Sequence, residues 1–267
     1  ADVTDLTQVF SLVDTDSIGF WDDKSDRMYV HHAASSIVLA SVKDKAVSPT
    51  PLITEPVKDF YPLSGERAIY TTASDADISV KLLSAAKSYA FLSIKASSEP
   101  LIVKSASFNR NEYIAIGGAS TEKTYIYKNL ESAIKKTPET RTAAPFVLLP
   151  NRSNYVEFSS KYRFILSTDG ASNAVYDIEA KEVIKYSTPA KTPAATGWFD
   201  DSRIYSLGSD KVLNVYDFNG SNVVQLATNS STIPYVNNDI SHTAYIVPSA
   251  NLQSLRFLDI EKPAQVK

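Results

Sequence analysis

The chain has no cysteine. That excludes a disulfide framework, a thiolate-held zinc or iron–sulfur centre and a thiol nucleophile. Histidine is nearly as scarce, at three residues, beside one methionine and eight glycines. Nucleophilic or metal-centred catalysis therefore has few parts to work with, and tight turns have little of the residue that enters left-handed backbone freely. There is no basic excess either: Lys plus Arg number 27 against 30 Asp plus Glu, a formal charge of −3, so nucleic acid is not an expected partner. Apolar runs such as Ile37 to Val42 and Ala144 to Leu149 are strand-sized, far short of the roughly eighteen residues that span a bilayer. Residues Ala1 to Phe10 carry neither an initiator Met nor the basic-then-apolar layout of a leader, and the expectation is a mature or excised chain. With thiols absent, an extracytoplasmic location is the expected compartment. Gly-x-Ser-x-Gly, Gly-x-x-x-x-Gly-Lys, Gly-x-Gly-x-x-Gly and His-Glu-x-x-His are all missing.

What the chain does have is an ordinary globular balance, 43% hydrophobic and 21% charged, with fifteen Tyr and eleven Phe. Short β-branched and aromatic runs alternate with Asp, Asn, Ser and Lys clusters, the signature of strands and turns. Strands are expected at Arg27 to Val30, Ser36 to Val42, Arg67 to Thr71, Ile78 to Leu83, Tyr113 to Ile116, Thr124 to Tyr127 and Tyr162 to Leu166. Further strands are expected at Asn173 to Ile178, Arg203 to Leu207, Val212 to Phe218, Val223 to Ala227, Ala244 to Val247 and Leu255 to Ile260. One short helix is expected from Leu130 to Lys136, with Asn129 capping its free N–H groups and Glu131 in its first turn.

The pattern repeats. An aromatic ends one strand, a polar turn follows, and a second strand opens on a charged or aromatic residue. Phe20-Trp21 leads to Arg27-Met28-Tyr29-Val30, Phe60-Tyr61 to Arg67-Ala68-Ile69-Tyr70, and Phe108 to Tyr113-Ile114-Ala115-Ile116. Phe158 leads to Tyr162-Arg163-Phe164-Ile165, Trp198-Phe199 to Arg203-Ile204-Tyr205, and Tyr235-Val236 to Thr243-Ala244-Tyr245-Ile246. The anchors are spaced by about 40 to 50 residues, the length of a four-stranded propeller blade. A later strand in several copies closes on an aspartate, as in Val175-Tyr176-Asp177-Ile178, Val215-Tyr216-Asp217-Phe218 and Phe257-Leu258-Asp259-Ile260, where a carboxylate can cap the next turn.

Together these patterns resemble WD40-like propeller repeats of the TolB and YVTN types. The resemblance implies an all-β propeller of six four-stranded blades as a single domain over residues 1–267, with a seventh degenerate blade within Ser88 to Ser107 or Glu131 to Leu149 as the alternative. The sixth copy meets the C-terminus after its third strand, so Thr7 to Val13 is expected to supply the missing strand and close the ring. The family's Asp-Gly turn survives only at Asp169-Gly170, and the turns are expected to rely on Asn, Asp and Ser instead. The stretch Tyr186 to Thr196 is read as a loop between blades four and five.

Chemistry-bearing residues are few. His31 and His32 are neighbours on a strand and point to opposite faces, so they cannot share a metal, and His242 is expected in a solvated turn. No metal or cofactor is expected. Acidic and amide residues recur in the anchor turns: Asp22, Asp23 and Asp26, then Asp200 and Asp201, then Asn237, Asn238 and Asp239. If these turns line one face, Asp22, Asp23, Asp200, Asp201, Asn238 and Asp239 form a polar binding patch; the competing reading is ordinary turn composition. Trp21, Tyr61, Trp198 and Tyr235 pose the same choice between a ligand platform and packing between blades. The function that follows is a non-catalytic, monomeric binding or scaffold module for a protein or surface ligand. Two alternatives stand beside it: a lactonase-like hydrolase with Ca²⁺ held by Glu, Asn and Asp in the channel, for which Glu157 is the inner-strand acid, and a glycan-binding propeller.

Overall fold

A computed structural model describes residues 17–20, 27–31, 36–41, 43–136, 143–190, 193–228, 230, 234–236, 242–249 and 252–259, with backbone alone at 17–20, 235–236, 242–249 and 252–259. Every sheet is an antiparallel meander whose strands pair in chain order without crossovers. The chain forms two compact units, one of residues 1–103 with 129–144 and one of residues 104–128 with 145–267.

In the first unit, β1 (Ser17–Phe20), β2 (Arg27–His31), β3 (Ile37–Ser41) and β4 (Ala46–Val47) form one sheet, and β5 (Phe60–Leu63), β6 (Arg67–Ala73), β7 (Asp77–Ser84) and β8 (Lys87–Lys95) a second. They share a core of Tyr29, Ile37, Ile53, Val57, Ala68, Tyr70 and Leu83. Residues on β2 and β6 are buried on both faces, so Met28-Tyr29-Val30 and Ala68-Ile69-Tyr70 read as continuous apolar runs, whereas most of β7 alternates, with Ile78, Val80 and Leu82 buried and Asp77, Ser79 and Lys81 more exposed.

The second unit takes up the chain within β9 (Ile102–Phe108), which pairs on through β10 (Asn111–Gly117), β11 (Thr124–Lys128) and β12 (Val147–Leu149). Between β11 and β12 lies α1 (Leu130–Lys136), the expected helix, and it belongs to the first unit. There Glu131 accepts a hydrogen bond from Ser84 Oγ at 2.8 Å and pairs with Lys135 at 2.7 Å. A fourth sheet comprises β13 (Tyr155–Phe158), β14 (Phe164–Thr168), β15 (Ser172–Asp177) and β16 (Glu182–Ser187). The fifth is β17 (Pro193–Trp198), β18 (Arg203–Gly208), β19 (Leu213–Asp217) and β20 (Val224–Ala227), and the sixth, of three strands, is β21 (Tyr235–Val236), β22 (His242–Ser249) and β23 (Leu252–Asp259). Phe164, Leu166 and Val175 of the fourth sheet pack on Ile204 and Tyr216 of the fifth, so the middle strands are largely buried while the last strands, β16 and β20, are partly exposed.

The expected strands among the described residues are present with shifted ends, Thr7 to Val13 lies outside the described residues, and the structure corrects four details. Phe60 opens β5 instead of closing a strand, the hairpin turning later, at Ser64 to Glu66. Tyr162 lies in the β13–β14 turn, its N–H donating to Ser159 O at 2.9 Å. His242 is the first residue of β22, not part of a turn. The stretch from Tyr186 to Thr196 is strand at both ends, in β16 and β17. Within Ser88 to Ser107 and Glu131 to Leu149 the described residues form β8, β9, α1 and β12, and no further sheet.

Positive φ is where the turns depart furthest from expectation. Eleven described non-glycine residues carry it: Lys45, Glu66, Ala85, Ala86, Asn109, Arg110, Asn129, Tyr162, Lys181, Lys211 and Asn222. Only three of these are Asn, and none is Asp or Ser. Ala85-Ala86 and Asn109-Arg110 each form a two-residue hairpin with both φ values positive, the geometry whose handedness matches the strand twist. Strand pairing on either side holds these residues in the left-handed region despite their side chains.

Candidate functional site

The β17–β18 turn holds the two expected site residues that are described, Asp200 and Asp201; Asp22, Asp23, Asn238 and Asp239 lie outside the described residues, as do Asp26, Asn237, His32 and Trp21. Asp200 is 9% exposed and caps its own turn. Its Oδ1 accepts the N–H groups of Ser202 and Arg203, both at 2.8 Å, and its Oδ2 pairs with Arg203 Nε at 2.5 Å. Asp201 reaches instead to the β13–β14 turn, where its Oδ1 accepts Lys161 N–H at 2.8 Å and Ser159 Oγ–H at 3.1 Å. One carboxylate therefore shapes a turn and its neighbour ties two turns together.

Asp177 shows the same use of a strand-closing acid. Its Oδ1 accepts Glu179 N–H at 2.9 Å and Ala180 N–H at 3.1 Å, and Arg163 forks onto both oxygens at 3.2 and 2.7 Å. Burial alone would raise this carboxyl's pKa; the Arg163 guanidinium and the two backbone N–H groups outweigh it and hold the pKa below the usual range. Asp217 is tied to its turn by Asn222 Nδ2 at 2.6 Å.

Glu157, the acid on which the hydrolase alternative depends, pairs through Oε2 with Lys104 and accepts its neighbour Phe158 N–H at 3.2 Å. The aromatic platform residues are engaged in packing where they are described. Trp198 stacks near Phe164, centroids 6.1 Å apart, and donates from Nε1 to Glu157 O at 3.0 Å; Tyr61 donates to Leu101 O at 2.6 Å. His31 Nε2 lies 3.3 Å from Val57 O. Among the described residues no three His, Cys, Asp or Glu converge as a metal-holding group.

Sequence reasoning passed over a cleft at the other end of β14. It lies between the β14–β15 turn and the start of β17, has a volume of about 290 Å³, and is lined by Asn154, Tyr155, Asp169, Pro193, Thr196 and Tyr205 among others. The turn is braced: Asp169 Oδ1 accepts Ala171 and Ser172 N–H at 2.8 and 2.7 Å, Thr168 Oγ1 accepts Gly170 N–H at 2.9 Å, and Asn154 Nδ2 donates to Asp169 O at 3.1 Å. Tyr205 lies across Gly197, its strand partner, where a Cβ would sit 2.9 Å from the phenol oxygen. Burial raises the pKa of both Tyr155 and Tyr205, and each stays a neutral phenol at physiological pH. The surviving Asp169-Gly170 pair was the one available signal, and it pointed to a turn, not to the cleft beside it.

No protein-family model and no curated protein matches the chain. Among solved structures it is similar to a chain of the mitotic checkpoint complex, with a TM-score of 0.51 and 11% identity, covering 95% of this chain and 78% of that one. It is similar to a eukaryotic initiation factor, with a TM-score of 0.57 and 13% identity over 91% of this chain and 62% of that one. A dihydro-haem d1 dehydrogenase matches with a TM-score of 0.51 and 13% identity over 90% of this chain and 55% of that one. The chain thus spans less than two thirds of the last two. These likenesses concern the fold: an all-β chain of antiparallel sheets of three and four strands that fits a β-propeller, with a WD40 propeller among its structural neighbours.

Proposed function

We propose that the chain is a six-bladed propeller of the TolB or YVTN type, one domain closed into a ring by Thr7 to Val13, that works as a monomeric binding module outside the cytoplasm. One observation carries the choice of binding over catalysis. The acids that sequence offers as site residues, where described, are engaged in holding turns and pairing strands: Asp200, Asp201, Asp177 and Glu157. A residue committed to two or three structural hydrogen bonds is poorly placed to ligate a metal or move a proton. The partner is a protein or surface ligand, met by the turn and loop ends of the sheets, which a propeller leaves free for recognition while its strands pack.

The test is site-specific photo-cross-linking with the full chain exposed to envelope extract. Cross-linkers go at Ser160 and Ser202 on one set of turns and at Asn154 and Ala194 on the other, all four exposed. A defined adduct from one set, absent from the other, is expected. Adducts from neither set, together with Ca²⁺-dependent turnover of a lactone panel, overturn the reading in favour of the hydrolase. Stabilisation of the chain by millimolar Ca²⁺ in a thermal melt would count on the same side.

Deleting residues 1–13 tests ring closure separately. Loss of the strand that completes the last blade lowers the Tm of the whole domain, and an unchanged melt removes the closure.

A further inference from the structure

We propose that the cleft lined by Asn154, Tyr155, Asp169, Thr196 and Tyr205 is a carbohydrate subsite that takes one neutral pyranose unit. The inference rests on the reading of the chain as a binding module and specifies a ligand for it.

The cleft carries hydrogen-bonding groups that the protein leaves unanswered. The Tyr205 hydroxyl has no partner among the described residues, nor does the second carboxylate oxygen of Asp169, because Oδ1 alone receives the turn's two N–H groups. Asn154 is held through Nδ2, and its amide oxygen remains as an acceptor. The cleft therefore presents two acceptor oxygens and the Tyr205 hydroxyl on a braced frame.

Those groups select the ligand. Sugar hydroxyls donate and accept at once, which suits a mixed set of carboxylate, amide and phenol. The Tyr155 and Tyr205 rings and Pro193 supply apolar surface for the C–H face of a pyranose. Among the described residues that line the cleft there is no Lys or Arg, and Asp169 repels acids, so phosphates and uronic acids are disfavoured. Among the described lining residues there is no second carboxylate to hold a cation, and the two N–H groups on Asp169 Oδ1 already draw on its charge. The volume lies at the small end of ligand pockets, room for a single ring.

Saturation-transfer NMR on the full chain, with methyl glucoside, methyl galactoside, N-acetylglucosamine, glucuronic acid and tetramethylammonium as probes, tests this. At least one neutral sugar is expected to saturate in the millimolar range, with glucuronate and tetramethylammonium at least about tenfold weaker. Tyr205→Phe and Asp169→Asn, which keep the ring and the Oδ1 acceptor, each weaken that binding about five- to tenfold while leaving the melt close to that of the parent chain. Three results overturn the proposal: no saturable signal from any neutral sugar, equal or better binding of either charged probe, or sugar binding that survives both substitutions. A chain that yields a cross-linked partner but no sugar signal loses the subsite and keeps the binding module. Failure of both experiments removes both.

Discussion

Arg163 and Asp177 close the hairpin at the head of the fourth sheet, and their pairing carries a pH dependence whose sign follows from its cause. Because the guanidinium and two backbone N–H groups hold the folded carboxyl below its unfolded pKa, the pair stabilises the fold fully above about pH 4. That contribution fades as pH falls through the lower, folded value. Asp177→Asn, which keeps the shape but not the charge, is expected to destabilise by about 1–3 kcal/mol at neutral pH. The Tm gap between parent and variant then narrows as pH falls below about 4; a gap that stays constant in acid contradicts the assignment. The aspartate's turn-capping role was legible from its place at the end of a strand. The Arg163 fork was not, because expected strand positions do not say which carboxylate an arginine turns to.

At the scale of elements, two features decide how the hairpins hold. Gly117, at the end of β10, faces a cluster of small hydroxyls: Ser153 Oγ accepts Gly118 N–H at 2.9 Å, and Thr124 Oγ1 sits 3.2 Å from Ser153 Oγ and 2.7 Å from Ser167 Oγ. A Cβ at Gly117 would lie 2.3 Å from Ser153 Oγ and 2.8 Å from Thr124 Oγ1. Gly117→Ala is expected to cost about 1–3 kcal/mol, read by urea unfolding, with an undiminished midpoint as the contrary result. The Ala85-Ala86 turn offers the opposite change. Replacing it with Asn-Gly relieves two left-handed alanines and is expected to raise stability by about 1–2 kcal/mol in the same assay. Strand positions were readable because middle strands are buried on both faces and write themselves as Phe164-Ile165-Leu166 or Ile204-Tyr205. First and last strands such as β16 and β17 were not, since Glu182 to Ser187 is half exposed and Pro193 to Trp198 opens on proline and alanine.

At the scale of the molecule, tyrosine leads the large buried side chains among the described residues, with Tyr29, Tyr70, Tyr127, Tyr176 and Tyr216 all at or below 2% exposure. Burial, the leading cause in each case, pushes Tyr29 and Tyr216 up to about 12 and raises Tyr70, Tyr127 and Tyr186 as well. A folded pKa above the unfolded value of about 10 gives stability that is complete below that pH and is lost as pH climbs through the folded value. Phenolate absorbance should therefore rise in two stages, exposed tyrosines first and buried ones together with loss of circular dichroism; a single smooth titration in a chain still folded would refute it. The repeat was legible because these aromatics recur with the strands, whereas the cleft at Asp169 was hidden because its walls come from sequence segments some forty residues apart.

The turns carry one more consequence. A glycine-based repeat is legible as long as its glycines persist, but here left-handed positions are occupied by Lys, Glu, Ala, Arg, Tyr and Asn alike. Each such exchange costs no more than about 1–2 kcal/mol and is absorbed by the sheet around it. Turn residues in such a fold can therefore change one at a time while the path of the backbone is kept.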